Sequence, residues 1–435
     1  MEEYWKYSEE MMNFIEKSPT CFHAVACIKE MLLEQGFKEL RETDRWNMEG
    51  GKGYFVTRND SSLIAFRLPE QVPFGFHIVA SHCDSPSFKL KEFPEMAMEN
   101  TYVKLNTEKY GGMIMYTWMD RALSVAGRVV VQGKDGLETR LVQMDKETVV
   151  IPSVAIHMNR DANKGMEFNP QVDMLPLYGD YLMGDGMLLE QVAEKAGVKR
   201  EDILGHDLFL YVKERGRFYG ENDAFILSPR LDDLQCVYAS ARAFVDSMPK
   251  EYISVCAVFD NEEVGSETKQ GADSTFLEDV LWRMGEDLNW SRSEYLRMIA
   301  GSFLISADNA HAVHPNHPEK ADPTNRPYLN RGIVIKFHGS QKYATDAVSA
   351  AKMKMICEKA KVPWQTFANR SDSLGGSTLG NISTAHVSVS SVDIGLPQLA
   401  MHSAVETAGV KDTKYAVDAF RVFFSQGVSE SCFTE

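Results

Sequence analysis

The sequence predicts an α/β fold interrupted by a β-rich insertion. Apolar runs of strand length alternate with helical segments near both ends of the chain, which is the pattern of an α/β domain. From about residue 93 to 185, short β-type runs follow one another without helices of crossover length, which favours a mostly antiparallel module. We therefore expect one α/β domain made of residues 1–92 and 221–435, with residues 93–220 inserted as a second domain.

The first part of the α/β domain is predicted from helical periodicity and from turn residues. Ser18-Pro19-Thr20 breaks a helical pattern and can cap the next helix, which Gly36 ends. Asn59-Asp60 separates two apolar runs, as in a hairpin. The predicted elements are helices at 4–17 and 22–35, a hairpin of 54–57 and 63–66, and a strand at 74–80 that leads to Ser81-His82-Cys83-Asp84.

After the insertion the α/β pattern returns. Runs of four to seven residues predict buried strands, and the longer segments between them have helical spacing. The predicted helices are 234–245, 274–284, 345–360 and 412–425, and the predicted strands are 253–259, 303–307, 332–336, 387–390 and 396–401.

Composition narrows the class of protein. The chain has 435 residues, 44% of them hydrophobic, which is enough for two or three domains. Its formal net charge of -16 argues against nucleic acid or an anionic membrane surface as the main partner. Seven scattered cysteines without a CxxC pair indicate reduced thiols, and no signal peptide or membrane-spanning run is visible. We expect a cytoplasmic protein.

Five segments place side chains that bind metals just after apolar runs or at a helix start. Each alone is more often a hydrogen-bonded structural residue. Together they form a mixed imidazole and carboxylate set, which suits zinc or a similar divalent ion. The segments are His82 with Asp84, Asp232 with Asp233, Glu262 with Glu263, Asp308, and His402.

The Glu262-Glu263 pair is the clearest of these segments. Adjacent carboxylates at a strand end repel each other unless a cation lies beside them, although a solvated acidic turn is the alternative. Two histidines and three carboxylates can hold two ions if one carboxylate bridges, and a remaining glutamate can then act as general base. Asp84 either orients His82 or caps a turn.

Longer motifs contain these residues and resemble one family. The sequence is similar, over nearly its whole length, to the aspartyl aminopeptidase and vacuolar aminopeptidase I family of dinuclear zinc metalloaminopeptidases. The resemblance implies a mixed-sheet metallopeptidase catalytic domain with helices on both faces and a β-rich dimerisation domain. The motifs are Ser81-His-Cys-Asp-Ser-Pro, Ser228-Pro-Arg-Leu-Asp-Asp, Phe259-Asp-Asn-Glu-Glu-Val-Gly-Ser, Ser306-Ala-Asp-Asn-Ala-His-Ala-Val-His-Pro and Pro397-Gln-Leu-Ala-Met-His-Ser.

The resemblance implies a role for each site residue. It assigns two divalent ions to each subunit, most often zinc, with cobalt or manganese as alternatives. One ion is expected at His82, Asp232 and Asp308, and the other at Asp232, Glu263 and His402, with Asp232 bridging. Glu262 is expected to be the general base and Asp84 its supporting carboxylate. The expected substrate contacts are His157, His311, Lys336 and Tyr343, and His157 is expected to reach a neighbouring subunit's site.

The implied activity is release of single N-terminal amino acids from peptides, by attack of a metal-bound water with Glu262 as base. Lys336 would favour acidic first residues, Asp or Glu. The alternatives are a broad or neutral-residue aminopeptidase of the same family and a non-catalytic scaffold stabilised by metal. A deblocking aminopeptidase or a carboxypeptidase-like amidohydrolase would not explain the motifs around Asp308 and His402. The resemblance also implies a homo-oligomer built from dimers, typically a dodecamer.

Overall fold

The computed structural model describes residues 2–134, 136–181, 186–373 and 375–426. Cys432 lies outside these residues, and the six described cysteines form no disulfide. The helices are α1 Glu2–Lys17, α2 Cys21–Glu34, α3 Met187–Ala196, α4 Leu231–Val245, α5 Phe276–Asp287, α6 Arg292–Ala300, α7 Ala347–Ala360, α8 Leu379–His386 and α9 Asp412–Gln426. None of these described helices has the length and apolar character needed to cross a membrane.

The strands form three sheets. In chain order they are β1 Lys38–Glu39, β2 Gly53–Arg58, β3 Ser62–Arg67, β4 Phe76–His82, β5 Ser87–Met98, β6 Tyr102–Tyr110, β7 Leu123–Gln132, β8 Leu137–Gln143, β9 Leu177–Asp180, β10 Ile203–Val212, β11 Arg217–Tyr219, β12 Phe225–Ser228, β13 Ile253–Phe259, β14 Phe303–Ala307, β15 Ala310–His311, β16 Ile333–Phe337, β17 Trp364–Ala368, β18 Ser390–Gly395, β19 Pro397–Leu399 and β20 Glu406–Gly409.

The central sheet has nine strands and mixed direction. Its order is β1-β2-β3-β13-β4-β14-β18-β16-β17. The middle strands β13, β4, β14 and β18 run parallel, whereas β3 and β16 pair antiparallel with β13 and β18. Every residue of β4, β13 and β14 is buried, as expected for strands covered on both faces. The predicted mixed sheet is confirmed.

Helices cover both faces of this sheet. Successive side chains of a strand point to opposite faces, so neighbouring residues enter different cores. Val79 and Val258 pack with α1, α2, α4, α7 and α9 on one face. Ile78 and Val255 pack with α5, α6 and α8 on the other. The arrangement confirms the prediction of helices on both faces.

A second, six-stranded sheet contains the strands between Ser87 and Val212. Its order is β8-β7-β10-β5-β6-β9, and its paired strands are antiparallel. It has its own apolar core, to which α3 contributes Leu188 and Val192. Its first strand, β5, begins at Ser87. The division of the chain at residues 93 and 220 stays a prediction.

A third, five-stranded sheet has the order β11-β12-β20-β19-β15. It contributes His311 at the end of β15. The connection between β19 and β20 carries His402. This sheet therefore places two of the predicted site residues.

Candidate metal centre

The five predicted metal ligands lie together at the carboxyl edge of the central sheet. In the parallel register His82, the last residue of β4, is opposite Phe259 of β13. Asp308 directly follows β14, and Glu263 lies in a short 3-10 helix just after β13. Asp232 is at the start of α4. Parallel strands end at the same edge, which explains why residues distant in sequence meet here.

Asp232 directs its two oxygens to different histidines. Its Oδ1 lies 3.5 Å from Nε2 of His82, and its Oδ2 lies 3.4 Å from Nε2 of His402. Nε2 of His82 is also 4.0 Å from Oδ1 of Asp308, and Nε2 of His402 is 3.4 Å from Oε2 of Glu263. Asp232 therefore lies between the two histidines, with one oxygen facing each of them.

Two buried carboxylate oxygens in the cluster lack a hydrogen-bond partner among the described residues. They are Oδ1 of Asp232 and Oε1 of Glu263. A buried carboxylate oxygen without a partner is costly, and a cation would supply one. Donor atoms lie within 4.8 Å of one another in two sets, His82 with Asp232 and Glu263, and Asp232 with Asp233 and Asp308. Both sets share Asp232, but they group the other residues differently from the assignment that the resemblance implies. Imidazole nitrogen and carboxylate oxygen are ligands that zinc accepts, so these residues fit divalent ions.

Asp233 has a different set of contacts from its neighbour. Its Oδ2 accepts a hydrogen bond from the backbone N–H of His82 at 3.3 Å, and its Oδ1 accepts one from Asn309 at 3.2 Å. Its carboxylate therefore links the end of β4 to the segment after β14 through these two hydrogen bonds. Both of its oxygens accept backbone N–H groups, so Asp233 is not among the proposed ligands.

The Asp84 side chain holds the backbone of Glu262 and Glu263. Its Oδ1 accepts the N–H of Glu262 and its Oδ2 accepts the N–H of Glu263, each at 3.1 Å. The same Oδ1 is 3.3 Å from Nδ1 of His82. One carboxylate thus contacts a predicted ligand and the turn that carries both glutamates.

The two glutamates differ in exposure. The Glu262 side chain is 17% exposed, whereas that of Glu263 is 3% exposed. Burial raises the pKa of Glu262 to about 7, with further increase from Asp308 and Asp84 and an opposing effect of His82. Burial also raises the pKa of Glu263 well above its ordinary value. Only Glu262 reaches the cavity described next.

A cavity of about 280 Å³ lies beside the cluster. It is lined by Glu262 and Asp308 and by three predicted substrate-binding residues, His311, Lys336 and Tyr343. The Lys336 side chain is 3% exposed, and its Nζ lies 3.7 Å from Oδ2 of Asp308. Burial opposes the charge on Lys336, but Asp308 and neighbouring groups raise its pKa above the ordinary value. The cavity wall therefore carries the ammonium group of Lys336 beside the carboxylate of Asp308.

His157 is not brought to the cluster within one subunit. It lies exposed in a turn, among the exposed apolar side chains Val154, Ile156 and Met158. Among the described residues, no hydrogen bond, ion pair or ring contact joins His157 to a predicted metal ligand. Its predicted role therefore depends on a second subunit.

Two residues of the centre were not predicted. The buried Glu406 accepts the backbone N–H of Asp232 at 3.1 Å and that of His402 at 2.7 Å. Tyr110 Oη donates to Oδ2 of Asp84 at 2.8 Å. The only sequence signal for Glu406 is an isolated acidic residue four positions after His402. Tyr110 comes from β6 of the six-stranded sheet, and its position in the sequence does not indicate this contact.

The fold and the site together define a class of protein. Histidines and carboxylates beside an open cavity, at the carboxyl edge of an α/β sheet, are typical of metal-dependent hydrolases. The chain belongs to the aminopeptidase I zinc metalloprotease (M18) family, whose profile matches residues 14–424. The predicted family and the predicted peptidase class are confirmed.

Sequence relatives cover almost the whole chain. A probable M18 family aminopeptidase 2 from Clostridium novyi is 48% identical over 97% of this chain and 99% of its own length. A protein of the same description from Pseudomonas aeruginosa is 41% identical over 96% of this chain and 98% of its own length.

Solved structures have the same fold. A chain in the cryo-EM structure of the Ape4 and Nbr1 complex has a TM-score of 0.94 and 36% identity, over 97% of this chain and 86% of that one. The S. cerevisiae mApe1 dodecamer has a TM-score of 0.86 and 27% identity, over 97% of both chains. This chain is an M18 family aminopeptidase, and the family is one of zinc metallopeptidases.

Proposed function

We propose that this aminopeptidase releases single N-terminal residues at a centre of two divalent ions. His82, Asp232 and Asp308 would hold one ion, and Asp232, Glu263 and His402 the other. The observation that carries the proposal is Asp232, whose two oxygens face different histidines. Zinc is the expected metal because of the family, and cobalt and manganese are the alternatives.

Glu262 is the general base in this proposal. When bound, the two ions would polarise the scissile carbonyl and make the attacking water more acidic. Glu262 takes a proton from that water and passes it to the leaving amine. Its side chain lines the cavity, whereas Glu263 is almost fully buried against His402. Asp84 accepts the backbone N–H groups of both glutamates and so holds the turn that carries them.

His311 and Tyr343 would contact the substrate from the cavity wall. Both line the cavity together with Glu262. A hydrogen-bond donor placed there can stabilise the negative charge that develops on the carbonyl oxygen.

Lys336 supports a preference for acidic N-terminal residues. Its ammonium group lines the cavity, where a substrate carboxylate could pair with it. One observation favours the alternative of a broad or neutral preference: Lys336 already lies 3.7 Å from Asp308. Release of Asp, Glu and Leu from matched aminoacyl substrates distinguishes the two. We expect faster release of Asp and Glu, and a clear preference for Leu would contradict this proposal.

The variant Glu262→Gln tests the proposed base. The change removes the proton acceptor but retains size and polarity, so we expect full metal content and a fall in kcat of roughly 100- to 10,000-fold. The matched control is Glu263→Gln, which should lose metal instead. Metal analysis and peptide hydrolysis on the same preparations give both quantities. Retained turnover in Glu262→Gln would rule out this assignment.

A dimer-based homo-oligomer is part of the proposal. A similar protein is a dodecamer in its solved structure. The exposed apolar residues Val154, Ile156 and Met158 beside His157 would be covered by a second subunit. Membership of a peptidase family argues against the alternative of a non-catalytic scaffold. A cytoplasmic location stays a prediction.

A further inference from the structure

One short segment links the six-stranded sheet to the candidate metal centre. Strand β6 ends at Tyr110, and the chain continues through Gly111 and Gly112 to Ile114. We call residues 110–114 the strap. It lies between the turn that carries Glu263 and the loop that carries His402.

On one side the strap contacts the double-glutamate turn. Tyr110 Oη donates to Asp84 and accepts a hydrogen bond from Nδ2 of Asn261, each at 2.8 Å. Gly111 has a φ of +78°, which favours glycine. A Cβ at Gly111 would lie 3.1 Å from Cβ and 3.4 Å from the backbone oxygen of Glu263. The absence of a side chain therefore allows the strap to approach Glu263 closely.

On the other side the strap contacts the His402 loop. Nδ1 of His402 is hydrogen-bonded to the carbonyl oxygen of Gly112. A carbonyl can only accept, so Nδ1 carries the proton and Nε2 is left as the free ring nitrogen. Nε2 is the atom that faces Asp232 and Glu263. The backbone N–H of Ile114 donates to the carbonyl oxygen of His402 at 2.9 Å, which fixes the loop as well as the ring.

We propose that the strap is a positioning device for Glu263 and His402. It orients the ring of His402 and limits the space around Glu263. A change in Gly111 or in the Ile114 hydrogen bond therefore weakens the ion held by these two residues more than the ion held by His82 and Asp308. The proposal rests on the ligand assignment given under the proposed function. It also makes the six-stranded sheet part of the metal centre within one chain.

The variant Gly111→Ala tests this proposal. The added methyl group meets Glu263, so we expect at least tenfold weaker binding of one ion and unchanged binding of the other. Gly197→Ala is the matched control, because Gly197 also has a positive φ, +69°, but no atom lies within 4 Å of its would-be Cβ. Zinc content per subunit is measured over a series of chelator concentrations. Gly197→Ala is expected to retain both ions.

A second variant covers the case in which Gly111→Ala does not fold. Ile114→Pro removes the N–H that bonds to His402, at a φ of -83° that is close to the proline value. It is expected to weaken the same ion by a smaller factor. Adding His402→Ala to either strap variant removes no further ion, because both changes affect the same site.

The single variant His402→Ala separates two kinds of failure. If it retains both ions with unchanged affinity, the ligand assignment is wrong. If it loses one ion while the folded strap variants bind both as tightly as the unmodified protein, the ligand assignment stands and the strap proposal is overturned. Selective loss of one ion in His402→Ala and in a strap variant supports both.

Discussion

At the scale of single residues, the candidate centre depends on the orientation of Asp232. Its carboxylate faces His82 with one oxygen and His402 with the other. The backbone of Asp232 is held by Glu406, which also accepts the N–H of His402. One buried carboxylate thus fixes the main chain at two predicted ligands that are 170 positions apart in sequence.

We predict that Glu406→Ala weakens metal binding by about 10- to 100-fold, because both ligand backbones lose their acceptor. Glu406→Gln should have a smaller effect, since its amide retains one oxygen. The measurement is zinc affinity by chelator competition, with the exposed Glu147→Ala as control. Affinity in Glu406→Ala equal to that of the unmodified protein would show that Glu406 has no positioning role.

The sequence allowed the candidate ligands to be predicted, but not the residues that hold them. His82 ends an apolar strand, Asp308 directly follows one, and Glu263 lies in the turn after a third. Such strand ends meet at one edge of a parallel sheet. Glu406 and Tyr110 act through hydrogen bonds to Asp232 and Asp84, 174 and 26 positions away. No local pattern encodes such contacts, because they arise only when separate sheets pack together.

At the scale of elements, two strands with continuous burial were predicted at their exact positions, whereas the predicted strand 387–390 lies at 390–395, in β18. The predicted strand 253–259 matches β13, and the predicted strand 303–307 matches β14. In these strands every side chain is buried, so the apolar run is uninterrupted.

Helix α6, helix α8 and strand β17 are among the elements that were missed, and the reasons differ. Helix α6 is short, and its clearest sequence signal is the capping box between Ser291 and Glu294 at its start. Helix α8 has the sequence LGNISTAH, in which glycine, asparagine and β-branched residues disfavour a helix. Strand β17 is five residues long and has mixed polarity, with only Phe367 fully buried. Packing against the central sheet, rather than local preference, determines the last two.

His77 in β4 provides a pH-dependent test of the buried central sheet. Its ring stacks on Tyr252 and packs against Phe423, with centroids 3.8 and 4.5 Å away. Burial lowers the pKa of His77 to about 3. Below about pH 6.5 the unfolded chain binds a proton at His77, whereas the folded state does not. The free energy of unfolding therefore decreases as the pH falls from about 6.5 towards 3.

From this shift we predict that the free energy of unfolding falls by roughly 1 to 1.5 kcal/mol more in the unmodified protein than in His77→Phe between pH 7.5 and 5.5. Phenylalanine retains an aromatic ring in the stack but cannot take a proton. Denaturant unfolding of both proteins in the same buffers gives the difference. Equal pH dependence would mean that the protonation of His77 does not differ between the folded and unfolded states.

At the scale of the whole molecule, the active site is expected to need two subunits. The metal centre lies at the edge of the central sheet, whereas His157 lies in an exposed turn between strands of the six-stranded sheet. The role of His157 is implied only by the family resemblance, and the fold of one chain does not bring the residue to the centre. Only an assembly can test that role.

We predict that two inactive variants recover activity when assembled together. Glu262→Gln has an intact His157, and His157→Ala has an intact Glu262. If His157 acts across a subunit interface, about a quarter of all sites in a randomly mixed 1:1 assembly of dimers contain both an intact Glu262 and an intact His157. The readout is peptide hydrolysis after dissociation and co-assembly, and each variant reassembled alone is the control. No recovery in verified mixed assemblies would place His157 in its own subunit's site or outside the reaction.

The most direct test of the two-ion aminopeptidase centre is a stepwise metal titration. The chelated protein receives zinc in small increments, and release of the N-terminal residue from a peptide is followed at each step. Because Asp232 faces both histidines and two ligand sets share it, we predict that activity reaches its maximum at two zinc ions per subunit. Full activity at one ion, or with none, would contradict the proposed centre.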